Sequence, residues 1–540
     1  MSARGRWLPV VLALAALAAA YLPHLDRPLL WADEAQTGIG ARGILRTGIP
    51  TAFDGRNAAV IDSGRTLDEH LVFKQIPWLG FYVGAASTAL FGDDTGGLRM
   101  AFALLGLLAF VPVYALLRTR VRLPALMAAL VLLAPQTVLF QRSARYYPLL
   151  VVLFAALCWH VAADLPRRGV RFALAAALFV LLFHTHVAVA IGCALSVLAS
   201  CLLARRARLW EYAGAAGLGL LSWLVWYRSL GPSLGPATTQ LALLARDPAG
   251  WLFQTLGALA ATVLDFDLVG ASPILLWAVL LGVLLWKRRD ALRAADRDPL
   301  VLFLLVSLFV QTLVSAALFG TETGFGYSML RYHAHLVVAL MLLGVLALDA
   351  AVTPRAGPAV VLALWIGCNP LTLSFWLQRE GRRVPASWVP PVVEEIARPN
   401  SDAWDQVIAT LRAPDGAGRD EVLLAMPPWT QEVALYYLGD RCLVPPLFTS
   451  DAGDAEVRFR RAVGEEAYAR LAAQPSWAVD FLGLMPALFE RYEVVAHISS
   501  RRARPDDGTR PELTRHTFAE GEHAGPEGED AGSVTLYRRR

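Results

Sequence analysis

The sequence predicts a polytopic α-helical membrane protein of about eleven spans, with a long first external loop and a C-terminal extracytoplasmic α/β domain. Three observations point there. Of 540 residues 56% are hydrophobic and only 17% charged, which is too apolar for a water-soluble core of this length. Apolar stretches of roughly 17 to 21 residues recur through the first 380 positions and then stop, and a helix needs about 20 residues to cross ~30 Å of hydrocarbon. Basic residues, finally, cluster in the short segments between those stretches.

The clusters are Arg4 and Arg6; Arg118, Arg120 and Arg122; Arg167, Arg168 and Arg171; Arg205, Arg206 and Arg208; and Lys287, Arg288 and Arg289. Short loops rich in Lys and Arg face the cytoplasm. Placing every cluster inside puts the N-terminus in the cytoplasm and gives spans near 7–23, 98–117, 123–140, 147–163, 171–187, 188–204, 212–229, 271–286, 299–319, 334–350 and 357–376. The odd count carries the tail outside, so the expected site is the cell (inner) membrane. The apolar stretch Pro77 to Gly92 cannot cross without inverting RTRVR and LPRRGVR, and it is short. It is read as a re-entrant or surface helix in a first external loop running from Leu25 to Gly97. Arg4, Arg6 and an apolar run ending in AAA imitate a signal peptide, but the spans that follow favour an uncleaved first helix.

Cys158, Cys193, Cys201 and Cys368 lie in apolar segments and Cys442 in the polar tail, which leaves no disulfide framework and no CxxC metal site. A net charge of +4 says little about partners, and no nucleic-acid partner is expected. The expected domains are 1–380, transmembrane, and 381–540, α/β. After a Pro-rich linker, DAWDQVIATLR reads as an amphipathic helix, EVLLAMP as a buried strand, WTQEVALYYLG as a helix and DRCLVPP as a second strand start. WAVDFLGLM, YEVVAHISS and SVTLYRR read as further strands, and Arg501 to Gly532 as a loop.

The residues with chemical potential stand at external loop edges. Asp33 and Glu34 follow the first span in WADEA; a carboxylate at an apolar boundary can have its proton affinity raised, which suits a general base. Helical neighbours diverge by about 100°, so one acid, Asp33, is the expected base and Glu34 its support. The same pair also suits a plain helix start. In DEHLVFKQIPW, His70 and Lys74 are four apart and expected on one helical face, with Lys74 toward a lipid phosphate or simply snorkelling. QRSARYYP supplies Arg142, Arg145 and Tyr146, a fork for phosphate and a ring for a sugar or prenyl chain, or interface anchors. His186, in HTH with His184, is expected to hydrogen-bond substrate rather than bind metal. GYSMLRYHAH adds Arg331, Tyr332 and His335. Charges at membrane depth are functional by default, and this set suits transfer from an anionic lipid phosphate.

The acidic pair in WADEA, the LFG-then-Arg pattern in LFGDDTGGLRMAFALLG followed by VYALLR, the SARYYPLL segment, the THV after the fifth span and the RY of MLRYHAH occur in an order that resembles the GT-C membrane glycosyltransferases. The likeness is to bacterial relatives of protein O-mannosyltransferases and lipid A aminoarabinose transferases. It covers about residues 1–380 and, more faintly, the tail. It implies inverting transfer of a sugar from a polyprenyl-phosphate donor to a hydroxyl acceptor, with Asp33 as base, Arg145 and Tyr146 in the second external loop of the site, and Arg331 with Tyr332 in the late one. The donor is a substrate, membrane lipid surrounds the chain, and no cofactor is implied. FKQIP departs from the lysine before two prolines common in relatives, which weakens Lys74 as a phosphate ligand. SARYYP lacks the acid some relatives carry, so no metal-dependent mechanism is expected. The rival class is a transporter or flippase for a lipid-linked or anionic substrate; such proteins place charges at the midplane of broken spans, whereas these sit at loop edges.

Overall fold

A computed structural model describes residues 3–60, 67–163 apart from 75, 165–204, 208–230, 245–253, 298–319, 334–351, 403–426, 430–448, 455–480, 491–499 and 533–540, with isolated positions near 355 and 396. The expected spans 271–286 and 357–376, the loop 501–532, and Arg331 and Tyr332 lie outside these residues. Two compact units emerge: one holds described residues of 1–23, 102–229 and 236–397, the other those of 24–101 and 398–540. The division differs from the expected domains in that residues 24–101 group with the tail.

In the first unit, α1 (Ala3–Tyr21) is followed by the inner part of α4 (Thr95–Leu108), α5 (Phe110–Leu117), α6 (Pro124–Leu132), α7 (Pro135–Gln141), α8 (Tyr147–Ala162), α9 (Arg168–Thr185), α10 (Val187–Leu203), α11 (Leu209–Leu230), α12 (Pro299–Phe319) and α13 (Ala334–Ala351). Their packing is inside-out relative to a water-soluble bundle. Leu8, Val11 and Leu12 on α1, Leu202 and Leu203 on α10, and Leu221 and Val225 on α11 point outward, while Gln141, Ser196, Ser307, Gln311 and His335 are buried. An apolar exterior of this extent suits lipid. Among the described residues, Thr95–Leu117 and Arg168–Thr185 are long and apolar enough to cross a membrane, and six further apolar helices are shorter.

The expected span 123–140 is two helices. Pro135 has no N–H to give to the carbonyl four residues back, so α6 stops at Leu132 and α7 restarts with proline at its first position. One carbonyl at the broken end is satisfied from elsewhere: Tyr21 donates its hydroxyl to the Leu132 oxygen at 2.7 Å.

The loops of this unit sort by end. Glu211 at the start of α11 pairs with Arg168 at 3.1 Å and Arg171 at 2.7 Å; Arg208 donates to the Ala163 carbonyl. A small cavity lined by Val161, Arg208, Tyr212 and Pro299 joins the start of α12 to the same end, and Arg120 reaches Asp298 beside it while Arg122 pairs with Asp349 in the last turn of α13. The described residues of three basic loops thus gather at one end of the bundle.

In the second unit, α2 (Ala32–Thr47) and α3 (Leu79–Phe91) pack together, α4 begins, and the tail supplies α14 (Ala403–Arg412), β1 (Leu423–Met426), α15 (Gln431–Leu438), α16 (Ala455–Val463), α17 (Glu465–Leu471), β2 (Trp477–Asp480), β3 (Tyr492–Ser499) and β4 (Ser533–Arg539). The sheet order is β1-β2-β4-β3, parallel between β1 and β2 and antiparallel elsewhere. This is the expected α/β pattern with one correction. DRCLVPP adds no strand; it makes an isolated bridge in which Leu423 donates to the Leu443 carbonyl, and Pro445 and Pro446 end any ladder by lacking N–H donors. At 13 residues and ~1.5 Å per residue, α3 is too short to span ~30 Å, as expected of a loop helix.

Candidate active site

The early acids open α2. No side chain caps this helix: its N-cap is Trp31, and Asp33 and Glu34 fill the first turn, where carboxylates complement the helix dipole. The two then diverge. Glu34 turns inward, its side chain 1% exposed, and meets Arg99 of α4 in a fork-to-fork pair, Nε to Oε1 at 2.8 Å and Nη2 to Oε2 at 2.5 Å. The same guanidinium donates to the carbonyls of Leu25 at 3.0 Å, Pro28 at 2.6 Å and Leu29 at 3.3 Å. One arginine therefore ties the loop entering α2 to the first turn of that helix. Asp33, about 100° round the helix, is half-buried, and its carbonyl accepts the Thr37 hydroxyl at 3.1 Å.

Arg99 is the member of this cluster that sequence reasoning did not single out. It stands in the LFG-then-Arg pattern, but nothing in its neighbourhood along the chain announces Glu34, sixty-five positions earlier. The adjacent Asp94 caps α4, accepting from the Gly97 N–H at 2.7 Å. Asp93 takes Arg42 of α2 at 2.9 Å.

DEHLVFKQIPW is not helical. Asp68 accepts the backbone N–H groups of both His70 and Val72, at 2.8 and 2.9 Å, which closes a side-chain turn that competes with the helix. Leu71 takes a left-handed φ of 57°, and Val72 and Phe73 form bridges with Thr51 and Leu67. His70 and Lys74 consequently share no helical face. His70 is 79% exposed beside Glu69; Lys74 is half-buried. Burial lowers the proton affinity of the Lys74 amine, against the raising effect of Asp68 and with Arg458 lowering it further.

The second candidate group lies in the first unit, at the end of the bundle away from the basic loops. Arg142, Arg145 and Tyr146 occupy the link from α7 to α8. Arg142 donates to the carbonyls of Ala20 and Tyr21 at 3.2 and 3.1 Å, the last of α1, where a cation also suits the helix dipole. Arg145 and Tyr146 are buried, with the guanidinium carbon 5.5 Å from the Tyr146 ring centre. That ring lies 4.8 Å from the ring of His186 and 4.7 Å from that of Tyr147. His186 is the one residue between α9 and α10, extended at φ −161°, and its Nδ1 accepts the Val189 N–H at 3.4 Å as an N-cap. His335, at the start of α13, is fully buried with its ring 5.1 Å from Phe154. The Arg145 cation, the Tyr146 and Tyr147 rings and the His186 imidazole, all buried, can hold an anionic headgroup with an apolar chain. Among the described residues, no three His, Cys, Asp or Glu side chains gather as a metal site.

Compared with solved structures, the chain superposes over nearly its full length on ArnT from Cupriavidus metallidurans. With undecaprenyl phosphate bound, that enzyme gives a TM-score of 0.58 at 15% identity, covering 99% of this chain and 98% of ArnT. The fold is that of the GT-C membrane glycosyltransferases. In its apo state ArnT gives 0.55 at 17% identity over 92% of this chain and 97% of its own. The archaeal oligosaccharyltransferase AglB from Archaeoglobus fulgidus gives 0.48 at 12%, over 91% and 71%. No family model and no curated protein matches the sequence.

Proposed function

We propose that the chain is an inverting glycosyltransferase that moves a sugar from a polyprenyl-phosphate donor to a hydroxyl acceptor on the extracytoplasmic face of the cell membrane. The observation carrying this is the full-length likeness to ArnT, whose structure holds undecaprenyl phosphate, together with an acid pair in which Glu34 is committed to Arg99. In this reading the acceptor oxygen attacks the anomeric carbon, its proton passes to the Asp33 carboxylate, and the bond from that carbon to the phosphate oxygen breaks. Polyprenyl phosphate leaves with the electron pair. Arg145 and Tyr146 hold the phosphate and the first isoprene units, joined by Arg331 and Tyr332, with Lys74 as a further cation and His186 toward the sugar. Arg142 acts by closing α1. The topology belongs to the same proposal: eleven spans, a cytoplasmic N-terminus, and the basic-loop end of the bundle inside.

The acceptor is found by comparing envelope glycans, by mass spectrometry, between cells with and without the protein. Asp33→Asn keeps shape and removes basicity, so the glycan that depends on the protein should form ~10²- to 10⁴-fold more slowly from an inserted, folded enzyme. Formation at the wild-type rate would sink the base assignment.

A further inference from the structure

We propose that Tyr437, on tail helix α15, is a positioning residue for the turn that carries Asp33. This rests on the reading of Asp33 as base. The Tyr437 hydroxyl accepts the backbone N–H of Leu30 at 2.8 Å and lies 2.6 Å from the hydroxyl of Thr95. Burial raises the proton affinity of this phenol, so it stays protonated at neutral pH. Besides accepting from Leu30 it shares a hydrogen bond with the Thr95 hydroxyl, in which either oxygen can be the donor. The tail hydroxyl is thereby wedged between the residue just before the α2 cap and the residue opening α4.

Leu30 matters because α2 starts without a side-chain cap. The direction in which its first turn leaves the loop is set by what holds residues 25–30. From one side that is Arg99, through the carbonyls of Leu25, Pro28 and Leu29; from the other it is Tyr437, through the Leu30 N–H. The neighbouring Tyr436 secures α15 along the same helix. Arg42 lies over its ring at 3.9 Å and donates to its carbonyl at 2.7 Å. Gly38, one turn before Arg42, lets the ring approach: a Cβ there would stand 2.3 Å from the ring edge. Further along, buried Asn57 donates to the carbonyls of Gly439 and Cys442 and accepts from the Val444 N–H. The tail is thus keyed to the first loop along a line that ends one residue before the WADEA segment. A general base is effective only when held in place, and a misplacement of about 1 Å can cost ~10²-fold in rate.

Tyr437→Phe removes the hydroxyl and keeps the ring. In detergent-purified full-length protein, hydrogen exchange should quicken at least ~10-fold for the amides of residues 30–34, while the other amides and the thermal midpoint change little. Glycan formation in cells should fall ~10- to 100-fold. In an Asp33→Asn background the same change should cost nothing more, since there is no base left to position. Thr95→Val, which frees the hydroxyl from its other partner, should repeat both effects more weakly and serves if Tyr437→Phe does not accumulate. Unchanged exchange, an unchanged rate with faster exchange, or an equal loss in the Asp33→Asn background would each overturn the proposal. Wild-type activity of Asp33→Asn alone would overturn it together with the base reading, so the two failures are told apart.

Discussion

Glu34 and Asp33 are neighbours with opposite fates, and the difference is a matter of partners. Glu34 gives both its oxygens to the Arg99 guanidinium, and both side chains sit away from water. Taking one charge from such a pair strands the other, which typically costs about 3 to 5 kcal/mol. Glu34→Gln is therefore expected to lower the thermal midpoint of the purified protein steeply, whereas Asp33→Asn should leave it near wild type. Adding Arg99→Met to Glu34→Gln should recover part of the loss, because no buried charge remains. Lys74 gives a second test at this scale. A lysine binds phosphate only when protonated, and burial lowers the affinity of this one for its proton. Since the protonated form is lost as pH rises, undecaprenyl phosphate binding should weaken at a pH where an ordinary lysine is still charged. In Lys74→Arg it should stay level over the same range, because guanidinium does not deprotonate. Identical profiles for the two proteins would remove Lys74 from the phosphate site.

At the scale of elements, α2 is built to be approached. Three of its glycines face close neighbours: a Cβ at Gly38 would meet Tyr436 at 2.3 Å, at Gly40 Phe81 at 2.5 Å, and at Gly43 the Thr51 backbone at 2.6 Å. Glycine inside a helix costs about 1 kcal/mol against alanine, so Gly38→Ala would stabilise an isolated helix. Here the methyl must push a ring that Arg42 already covers, and overpacking of this kind costs about 1 to 3 kcal/mol. The packing term should win. Gly38→Ala is expected to speed proteolysis of the tail and lower the midpoint, and a gain in stability would mean that α15 does not sit against α2. Some helices were legible beforehand: α14 from its amphipathic spacing, α15 as a helical segment after the first tail strand, α3 from an apolar run too short to cross. The failures also have local causes. An Asp68 side-chain turn displaced the helix expected at His70, Pro135 divided a span, and α16 with α17, rich in charge, gave no apolar run to notice.

For the whole molecule, hydropathy was enough to expect a many-helix chain and the order of its motifs to suggest a GT-C-like one, while neither revealed the arrangement of its parts. Periodicity reports neighbours a few residues away. It is silent on Asn57 holding Val444 or Tyr437 holding Leu30, contacts separated by 387 and 407 positions. The charge pattern does better at long range, because it reports a side of the membrane rather than a partner. The described residues of the basic loops do lie at one end of the bundle, with Arg208, Arg171 and Glu211 near Pro299 and Asp298 near Arg120, whereas Arg142, at the close of α1, belongs to the other. If the first end is cytoplasmic, the chain leaves α1 on the external side, and everything from Leu25 to Gly97 must be external too. A cysteine at His70, 79% exposed, should then react in intact spheroplasts with a reagent that cannot cross the membrane. One at Arg167, in a basic loop, should react only after permeabilisation. A reporter active only outside the cytoplasm, fused after Arg382, should be active, because an odd number of spans precedes it. Labelling of both cysteines from outside would break the charge argument, and an inactive fusion with correct cysteine labelling would leave the ends assigned but make the span count even.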